Sequence, residues 1–139
     1  MIVGLRAPMP PSSNNAYRAV GNHVTRSEEN NLYRRRFARV VQEANPHLLT
    51  VPDEFCDKRA AYGVVAAFYF AALRRKTQGK YTIYLKEDID NRFKILGDCL
   101  KEVIGVDDAN FFDVRLLKYQ ADAGEEPHVE VFIRKLEEE

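Results

Sequence analysis

The sequence predicts a small α/β (α+β) sandwich, in which helices pack on a mixed β-sheet within a single domain of 139 residues. Short extended segments alternate with two amphipathic segments of helical period, and this alternation predicts the class. The run RAAYGVVAAFYFAAL is apolar at both of its alternating sets of positions, which is typical of a central strand covered on both faces. A composition of 45% hydrophobic and 30% charged residues indicates an ordered globular chain.

The first 58 residues are expected to form a strand, a helix and the loops around them. Residues 2–6 are apolar and end before Pro8, and turn residues dominate the PMPPSSNN run that follows. Residues 21–25 could form an extended return. A helix is predicted from a cap at Thr25 or Ser27 to about Asn45, and residues 46–58 show no period. The buried stripe of this helix is predicted to contain Tyr33, Phe37, Val40, Val41 and Ala44.

The rest of the chain is expected to supply a hairpin, a second helix and two closing strands. The RRKTQGK run is typical of a basic turn or hairpin tip, and residues 81–85 could form a short extended piece. A helix is predicted over residues 91–104, with Asp90 as its N-cap and Gly105 just beyond its end. Residues 112–120 and 128–135 have strand character, and the ADAGEEP run between them predicts that they pair as a hairpin.

The distribution of charge is more informative than the net charge, which is zero. Residues 1–86 carry 14 lysines and arginines against 6 acids, whereas residues 87–139 carry 7 against 15. Such polarity is expected of an acidic metal site set in a basic surround.

The chain gives no indication of membrane insertion or of a disulfide framework. Its most apolar run, residues 60–73, is too short to span a bilayer, and we expect no cleavable leader. Cys56 and Cys99 lie far apart, without a histidine at ligand spacing, so neither a zinc site nor a disulfide is predicted. We therefore expect a cytoplasmic protein with no membrane partner.

Acidic residues are concentrated around the second predicted helix, in the run LKEDIDNRFKILGDCL and in the Asp107–Asp108 pair after it. In an extended chain Asp88 and Asp90 would share a face where the chain enters the helix. Lys94 lies one turn beyond Asp90, on the polar side of the predicted helix. The second acidic pair could return beside the helix through a short connection. Because converging carboxylates repel one another, such a cluster requires compensation.

A divalent cation is the compensation that suits these residues. Mg²⁺ prefers oxygen ligands and usually takes a few carboxylates together with water and substrate phosphate. Such a site suits phosphodiester hydrolysis, because the metal binds the scissile phosphate and lowers the pKa of a water. Lys94 could neutralise charge that develops on the phosphate or orient the nucleophile.

The acids could also have roles that need no magnesium ion. Asp90 could serve only as a helix cap that pairs with Lys94 four residues later, an interaction worth about 0.2–0.5 kcal/mol. An EF-hand calcium loop beginning at Asp88 is excluded, because the glycine and the closing glutamate that such a loop requires are missing.

The strings DIDNRFKILGDCL and GVDDANFFDVRLLK resemble the RusA-type crossover junction endodeoxyribonucleases, a family of Holliday junction resolvases. The family hallmark is D-x-D-N-x-x-K, then D-x-L, then a D-D pair and a strand that ends in lysine. The run PMPPSSNNAYR is similar to the family's Pro-Pro-Ser-Asn-Asn start, with one extra serine. The resemblance is close over residues 8–18 and 86–118. Glu87 departs from the basic residue that is usual before the first aspartate.

The resemblance implies a Mg²⁺-dependent homodimer, with Mn²⁺ as an expected substitute, that makes paired symmetric nicks in four-way DNA junctions during recombination and repair. Asp88, Asp90 and Asp108 match the family's metal-binding acids, Asp107 is the adjacent acid and candidate ligand, and Lys94 matches the essential catalytic lysine. A four-way junction has near two-fold symmetry, so a two-fold dimer presents one site to each of two opposed strands.

The residues expected to contact DNA are polar or basic and lie in or beside these motifs. The loop residues could contact phosphates or a base, or could serve only to build the turn. The clusters at 34–36 and 74–76 could likewise bind phosphate or form solvated faces. The predicted DNA contacts are Asn14, Asn15, Tyr17, Arg18, Lys86 and Lys118.

A catalytically inactive DNA-junction-binding protein is the alternative function, and the intact set of acids argues against it. A small structural protein that uses the acids only as caps is a third hypothesis. Nicking of a synthetic junction in Mg²⁺ and in EDTA distinguishes the enzyme from both alternatives.

Overall fold

The computed structural model describes residues 1–12, 17–20, 23–26, 28–84 and 88–136. The first half of the chain supplies a strand, a short hairpin, a helix, two 3₁₀ turns and a long strand. In order, these are β1 (Ile2–Pro8), β2 (Tyr17–Val20), β3 (His23–Arg26), α1 (Glu28–Ala44), the turns Pro46–Thr50 and Asp53–Phe55, and β4 (Tyr62–Phe70).

The second half begins with an antiparallel hairpin, in which residues 74–78, predicted as a turn or hairpin tip, form the first strand and residues 79–80 the turn. A helix, a 3₁₀ turn and two longer strands follow. In order, these elements are β5 (Arg74–Gln78), β6 (Tyr81–Tyr84), α2 (Ile89–Val103), the turn Asp108–Asn110, β7 (Phe111–Gln120) and β8 (His128–Lys135).

Four strands form a mixed sheet in the order β1-β8-β4-β7, which confirms the predicted fold class. β8 pairs antiparallel with both β1 and β4, whereas β4 and β7 are parallel. Parallel neighbours require a crossover connection, and here the chain between β4 and β7 contains α2. The helix that carries the first acidic pair is therefore part of a strand–helix–strand unit.

One face of the sheet encloses the hydrophobic core together with the two helices. The alternate residues Tyr62, Val64, Ala66 and Phe68 of β4 lie on this face and are buried. The fully buried contributions from the helices are Phe37, Val41, Ile95, Leu96 and Leu100. No helix in the described ranges is long and apolar enough to cross a membrane.

The predicted stripe of α1 is confirmed at Tyr33, Phe37 and Val41, which are buried. Val40 is only half-buried and Ala44 is exposed. Ala44 is the last residue of the helix, and the chain turns away after it at the first 3₁₀ turn.

The predicted hairpin of β7 and β8 is wrong, because β4 lies between these two strands. Phe68 of β4 is opposite Lys118 of β7 on one side and Val129 of β8 on the other. The connection crosses the end of β4, where the Ala121 N–H donates to the Phe70 carbonyl oxygen (2.8 Å). An interior position gives both edges of this apolar strand hydrogen-bond partners, which an edge position would not.

The second face of the sheet is covered only in part. On β4 itself Gly63 and Ala67 are buried and Val65 and Tyr69 are half-buried, and the strand is interior, as predicted. At Gly63 the Arg134 side chain of β8 lies over the strand, 3.2 Å from the place that a Cβ atom would take. Elsewhere on this face large apolar side chains remain 39–65% exposed. We call this surface, which contains Ile2, Leu117, Tyr119 and Phe132, the open face.

Candidate active site

Helix α2 begins at Ile89, and its N-cap is Asp88, not Asp90 as the sequence predicted. Oδ1 of Asp88 accepts hydrogen bonds from the backbone N–H groups of Asp90 (3.1 Å) and Asn91 (3.5 Å). The side-chain amide of Asn91 donates to Oδ2 of the same carboxylate. Asp88 reaches these donors because its backbone is extended, with φ −92° and ψ 112°. Its immediate sequence neighbours therefore fix the orientation of this carboxylate.

Asp90, Lys94, Gly97 and Lys101 lie on one face of α2, because their spacings of four, three and four residues follow the helical repeat. We call these four residues the polar face. At a rise of about 1.5 Å per residue, Lys94 lies about 6 Å beyond Asp90 along the helix axis and Gly97 about 10 Å beyond it. Both Asp90 and Lys94 are exposed, so the start of the polar face is open to a ligand.

The second acidic pair begins at Asp107, which caps the 3₁₀ turn after α2. Its Oδ1 atom accepts the Ala109 N–H (3.1 Å). Its Oδ2 atom lies 3.1 Å from Nζ of Lys101, the last residue of the polar face. These two contacts join the turn to the C-terminal part of the helix.

Asp108 is placed against the middle of the polar face. Asn110 ties the turn to the loop before β4, because its side-chain amide donates to the carbonyl oxygens of Lys58 (2.9 Å) and Ala60 (2.8 Å). A Cβ atom on Gly97 would lie 3.5 Å from Cβ of Asp108 and 3.8 Å from its Oδ2. Asp108 therefore lies beside the helix at Gly97, at the contact distance of an ordinary side chain.

Asp107 and Asp108 differ in their affinity for a proton. The Ala109 N–H, followed by the Lys101 ammonium and the Asp108 carboxyl group, lowers the pKa of Asp107 to about 2. The hydrogen bond with Asp107, followed by partial burial and the charges of Asp107 and Asp98, raises the pKa of Asp108. The raised pKa reports the cost of ionising a second carboxyl beside the first. A cation at this pair would remove that cost.

The acids suit a magnesium ion in their chemistry, but the described residues do not gather three of them around one point. Across the described ranges, no group of three or more His, Cys, Asp or Glu side chains is placed to hold a metal ion. Asp88 and Asp90 lie at the start of the polar face, and Asp108 lies at its middle. Protein sites often hold Mg²⁺ by one or two carboxylates, with water and substrate phosphate oxygens completing the set. Each acidic pair offers ligands of that kind.

Of the six predicted DNA contacts, three lie in the described part of the chain. Lys118 is exposed on β7, opposite Phe68, and it therefore lies on the sheet face that the helices cover. Tyr17 and Arg18 belong to β2. The remaining predicted contacts, Asn14, Asn15 and Lys86, lie outside the described residues.

Part of the basic cluster at residues 34–36 has a structural role. The Arg34 side chain is only 11% exposed and joins the two helices through ion pairs with Asp98 (3.5 Å) and Glu102.

Sequence reasoning missed three residues that shape the site. Asn91 orients Asp88, and Lys101 pairs with Asp107. Both carried a signal, because Asn91 belongs to the D-x-D-N motif and Lys101 continues the spacing of the polar face. Asn110 contacts residues about 50 positions earlier, and no local pattern indicates such a contact.

A comparison with protein families agrees with the motifs. A family model described as endodeoxyribonuclease RusA matches residues 8–134, which is most of the chain. No curated protein matches the chain significantly. The matched range contains both acidic pairs, the whole polar face and Lys118.

Proposed function

The chain belongs to the RusA endodeoxyribonuclease family, and on this premise we propose that it resolves four-way DNA junctions by paired symmetric nicks that depend on Mg²⁺. The family is one of endonucleases that act on DNA, and its activity is the resolution of Holliday junctions. The proposal extends this family activity in three respects: the nicks depend on Mg²⁺, they are paired, and the protein acts as a homodimer.

The observation that supports this proposal best is the order of groups along the polar face. Asp90 stands at its start, with Asp88 beside it as the helix cap. Asp108 approaches its middle at Gly97. Lys94 lies between these acids and is exposed. A phosphodiester laid along the face would therefore meet carboxylates at both ends and a cation between them.

The residues have distinct parts in the proposed reaction. Asp88 and Asp90 would offer Mg²⁺ ligands at the start of the polar face and Asp108 at its middle, and Asp107 would support Asp108 while its own carboxylate pairs with Lys101. Bound Mg²⁺ supplies polarisation of the scissile phosphate and a lowered pKa of the attacking water, and Mn²⁺ offers the same chemistry. The Lys94 ammonium would contact the phosphate oxygens and neutralise the charge that grows on them.

A nicking assay on a synthetic four-way junction tests the proposal, with linear duplex of the same sequence as control. We expect symmetric nicks in Mg²⁺ and none in EDTA. Asp90→Asn should bind the junction but nick it about 10³-fold more slowly, because a metal-bound carboxylate supplies several kcal/mol of transition-state stabilisation.

Asp122→Asn is the matched control, since Asp122 is an exposed acid in the loop between β7 and β8. This variant should nick like the wild type. Normal Mg²⁺-dependent nicking by Asp90→Asn would refute the site. Binding without any nicking by the wild type would favour the alternative, a catalytically inactive junction-binding protein.

A homodimer completes the proposal, because paired nicks require two sites. The open face supports it: exposed apolar patches on soluble proteins mark contact surfaces. Phe132, which is 48% exposed, lies within this face. Sedimentation velocity should give twice the chain mass of 16.0 kDa, and Phe132→Glu should lower it to that of a monomer. A wild-type monomer at micromolar concentration would contradict the dimer.

A further inference from the structure

The chain that leaves β1 is held by both helices before it reaches the predicted DNA-contacting loop. The Tyr33 hydroxyl of α1 donates to the Pro8 carbonyl oxygen (2.7 Å). The Arg92 guanidinium of α2 donates through Nη1 to the Pro10 carbonyl oxygen. Pro10 is buried and Met9 packs against the core. Residues 8–10 are therefore fixed at two points, one from each helix.

Arg92 differs from the lysines of the same helix because its side chain is engaged with the core. Its guanidinium carbon lies 5.4 Å from the centre of the buried Phe70 ring at the end of β4. Its Nε atom is buried, whereas Lys94 and Lys101 are exposed. A guanidinium is planar, so one face can stack on a ring while an edge donates hydrogen bonds. Arg92 uses both properties to join α2, β4 and residues 8–10.

Because Arg92 lies close to Asp88 and Asp90 in α2, its contact with Pro10 links residues 8–10 to these acids. Arg92 follows Asp90 by two residues in the first turns of α2. Any shift of residues 8–10 relative to α2 is therefore also a shift relative to Asp88 and Asp90. Residues 8–10 lead directly into Asn14 and Asn15, which are predicted to contact DNA.

We propose that Arg92 is a positioning residue for junction recognition, which sets the place of residues 8–10, the segment that precedes the predicted DNA contacts, relative to the acids. This inference rests on the proposed function. It predicts that Arg92 acts on the binding of the junction and on its preference over duplex, and not on the chemical step, because Arg92 does not lie on the polar face. Small misplacements of binding groups can change affinity or rate by up to about a hundredfold.

The test compares Arg92→Met, Arg92→Lys and Arg34→Met with the wild type. Methionine retains length and apolar contact but loses the charge and the donors, and lysine retains the charge without the planar stack. Arg34→Met is the matched control, because it removes a mostly buried arginine that joins α1 to the second half of α2 and makes its ion pairs with Asp98 and Glu102. Junction and duplex affinities are measured in EDTA, and nicking rates in Mg²⁺ at saturating protein.

We expect Arg92→Met to weaken junction binding between about tenfold and a hundredfold and to narrow the preference over duplex, with a nicking rate within about twofold of the wild type. Arg92→Lys should recover part of the affinity. Arg34→Met should lower the thermal midpoint at least as much while junction affinity stays unchanged. Equal losses of affinity in both methionine variants, or none in Arg92→Met, would overturn the proposal.

Hydrogen exchange at the backbone amides of Met9 and Ser12, followed by NMR, separates this inference from the proposed function, since Pro8, Pro10 and Pro11 carry no amide hydrogen. Arg92→Met should speed exchange there, and Arg34→Met should not. If the wild type neither binds nor nicks junctions, the proposed function fails, whatever the exchange shows. If the wild type is active and exchange in Arg92→Met is unchanged, only the positioning role fails.

Discussion

The two acidic pairs that flank helix α2 differ in what holds them. Asp88 is oriented by the backbone N–H groups of Asp90 and Asn91 and by the Asn91 side chain, all within its own helix. Asp107 is held by Lys101 at the far end of that helix. The turn that contains Asp108 is also tied to the loop before β4.

The two pairs also differ in how their carboxylates affect the stability of the fold. The Asp88 carboxylate accepts hydrogen bonds on both of its oxygens, so its polar atoms have partners within the fold. Asp108 lies beside a second carboxyl, and its pKa is raised. The first pair is therefore a stable part of the helix start. In the second pair only ionised Asp108 disfavours the folded state, and a bound cation would relieve that cost. Functional sites commonly carry such a cost.

The largest effect is expected at Asp88, whose role as a helix cap can be separated from its proposed role as a metal ligand. Asparagine caps helices about as well as aspartate, whereas alanine does not. Asp88→Asn should keep the wild-type stability and lose about 10³-fold in nicking rate. Asp88→Ala should lose the same activity and in addition about 1 kcal/mol of unfolding free energy. Urea titrations and junction nicking measure the two effects.

Replacing Asp88 by Ser gives a further check, since serine also caps but offers no carboxylate. Stable Asp88→Ser protein with normal nicking would mean that Asp88 is only a cap. In that case the first pair would contribute structure and not chemistry.

Gly97 offers an intermediate test, directed at the second pair. The Cβ atom of alanine would lie at ordinary contact distance from Asp108, 3.5 Å. Gly97→Ala should therefore nick normally and gain up to about 1 kcal/mol of stability, because alanine favours the helix. Gly97→Val should push Asp108 away from the polar face and slow nicking about tenfold to a hundredfold. Equal activity of the two variants would show that the place of Asp108 is not critical.

The smallest expected effect concerns stability without a metal ion. The pKa of Asp107, at about 2, is below its ordinary value of 3.8, so its contribution stabilises the fold above pH 4 and is lost as the pH falls towards 2. The raised pKa of Asp108 has the opposite sign, and ionised Asp108 disfavours the folded state at neutral pH. In EDTA at pH 7, Asp107→Asn should lower the thermal midpoint and Asp108→Asn should raise it, each by about 1–2 °C.

The same scans in Mg²⁺ supply the control for that prediction. If the second pair binds the ion, Mg²⁺ should raise the midpoint of the wild type more than that of Asp108→Asn. Equal increments in the two proteins would exclude Asp108 as a ligand.

Much of the fold could be predicted because its elements have strong local signals. Residues 128–135 alternate in polarity and form β8 over the predicted bounds. Helix α1 carries its apolar stripe and stops before Pro46, and Gly105 follows α2 with a φ of 91°, which favours glycine. In each case the signal lies within a few residues of the feature that it determines.

The order of strands could not be predicted in the same way. A short polar loop between β7 and β8 favours a hairpin, but β4 separates them in the sheet. The strand order depends on the position in the sheet at which β4, the most apolar strand, makes the most contacts. Finding that position requires a comparison of complete folds, because every strand contributes to the contacts. The open face could not be predicted for the same reason. Both faces of β4 are apolar, and only the completed sheet decides which of them the helices cover.

The amino-acid sequence by itself determined the motif, the helix that carries it and the spacing of Asp90, Lys94 and Lys101 on one face. Helical geometry is local, so two spacings suffice to place these three side chains on the same face. Only the tertiary structure decided where Asp107 and Asp108 lie, because contacts with Lys58, Ala60 and Gly97 place them. Contacts between residues distant in sequence depend on how all the elements pack, and no pattern within one segment encodes them.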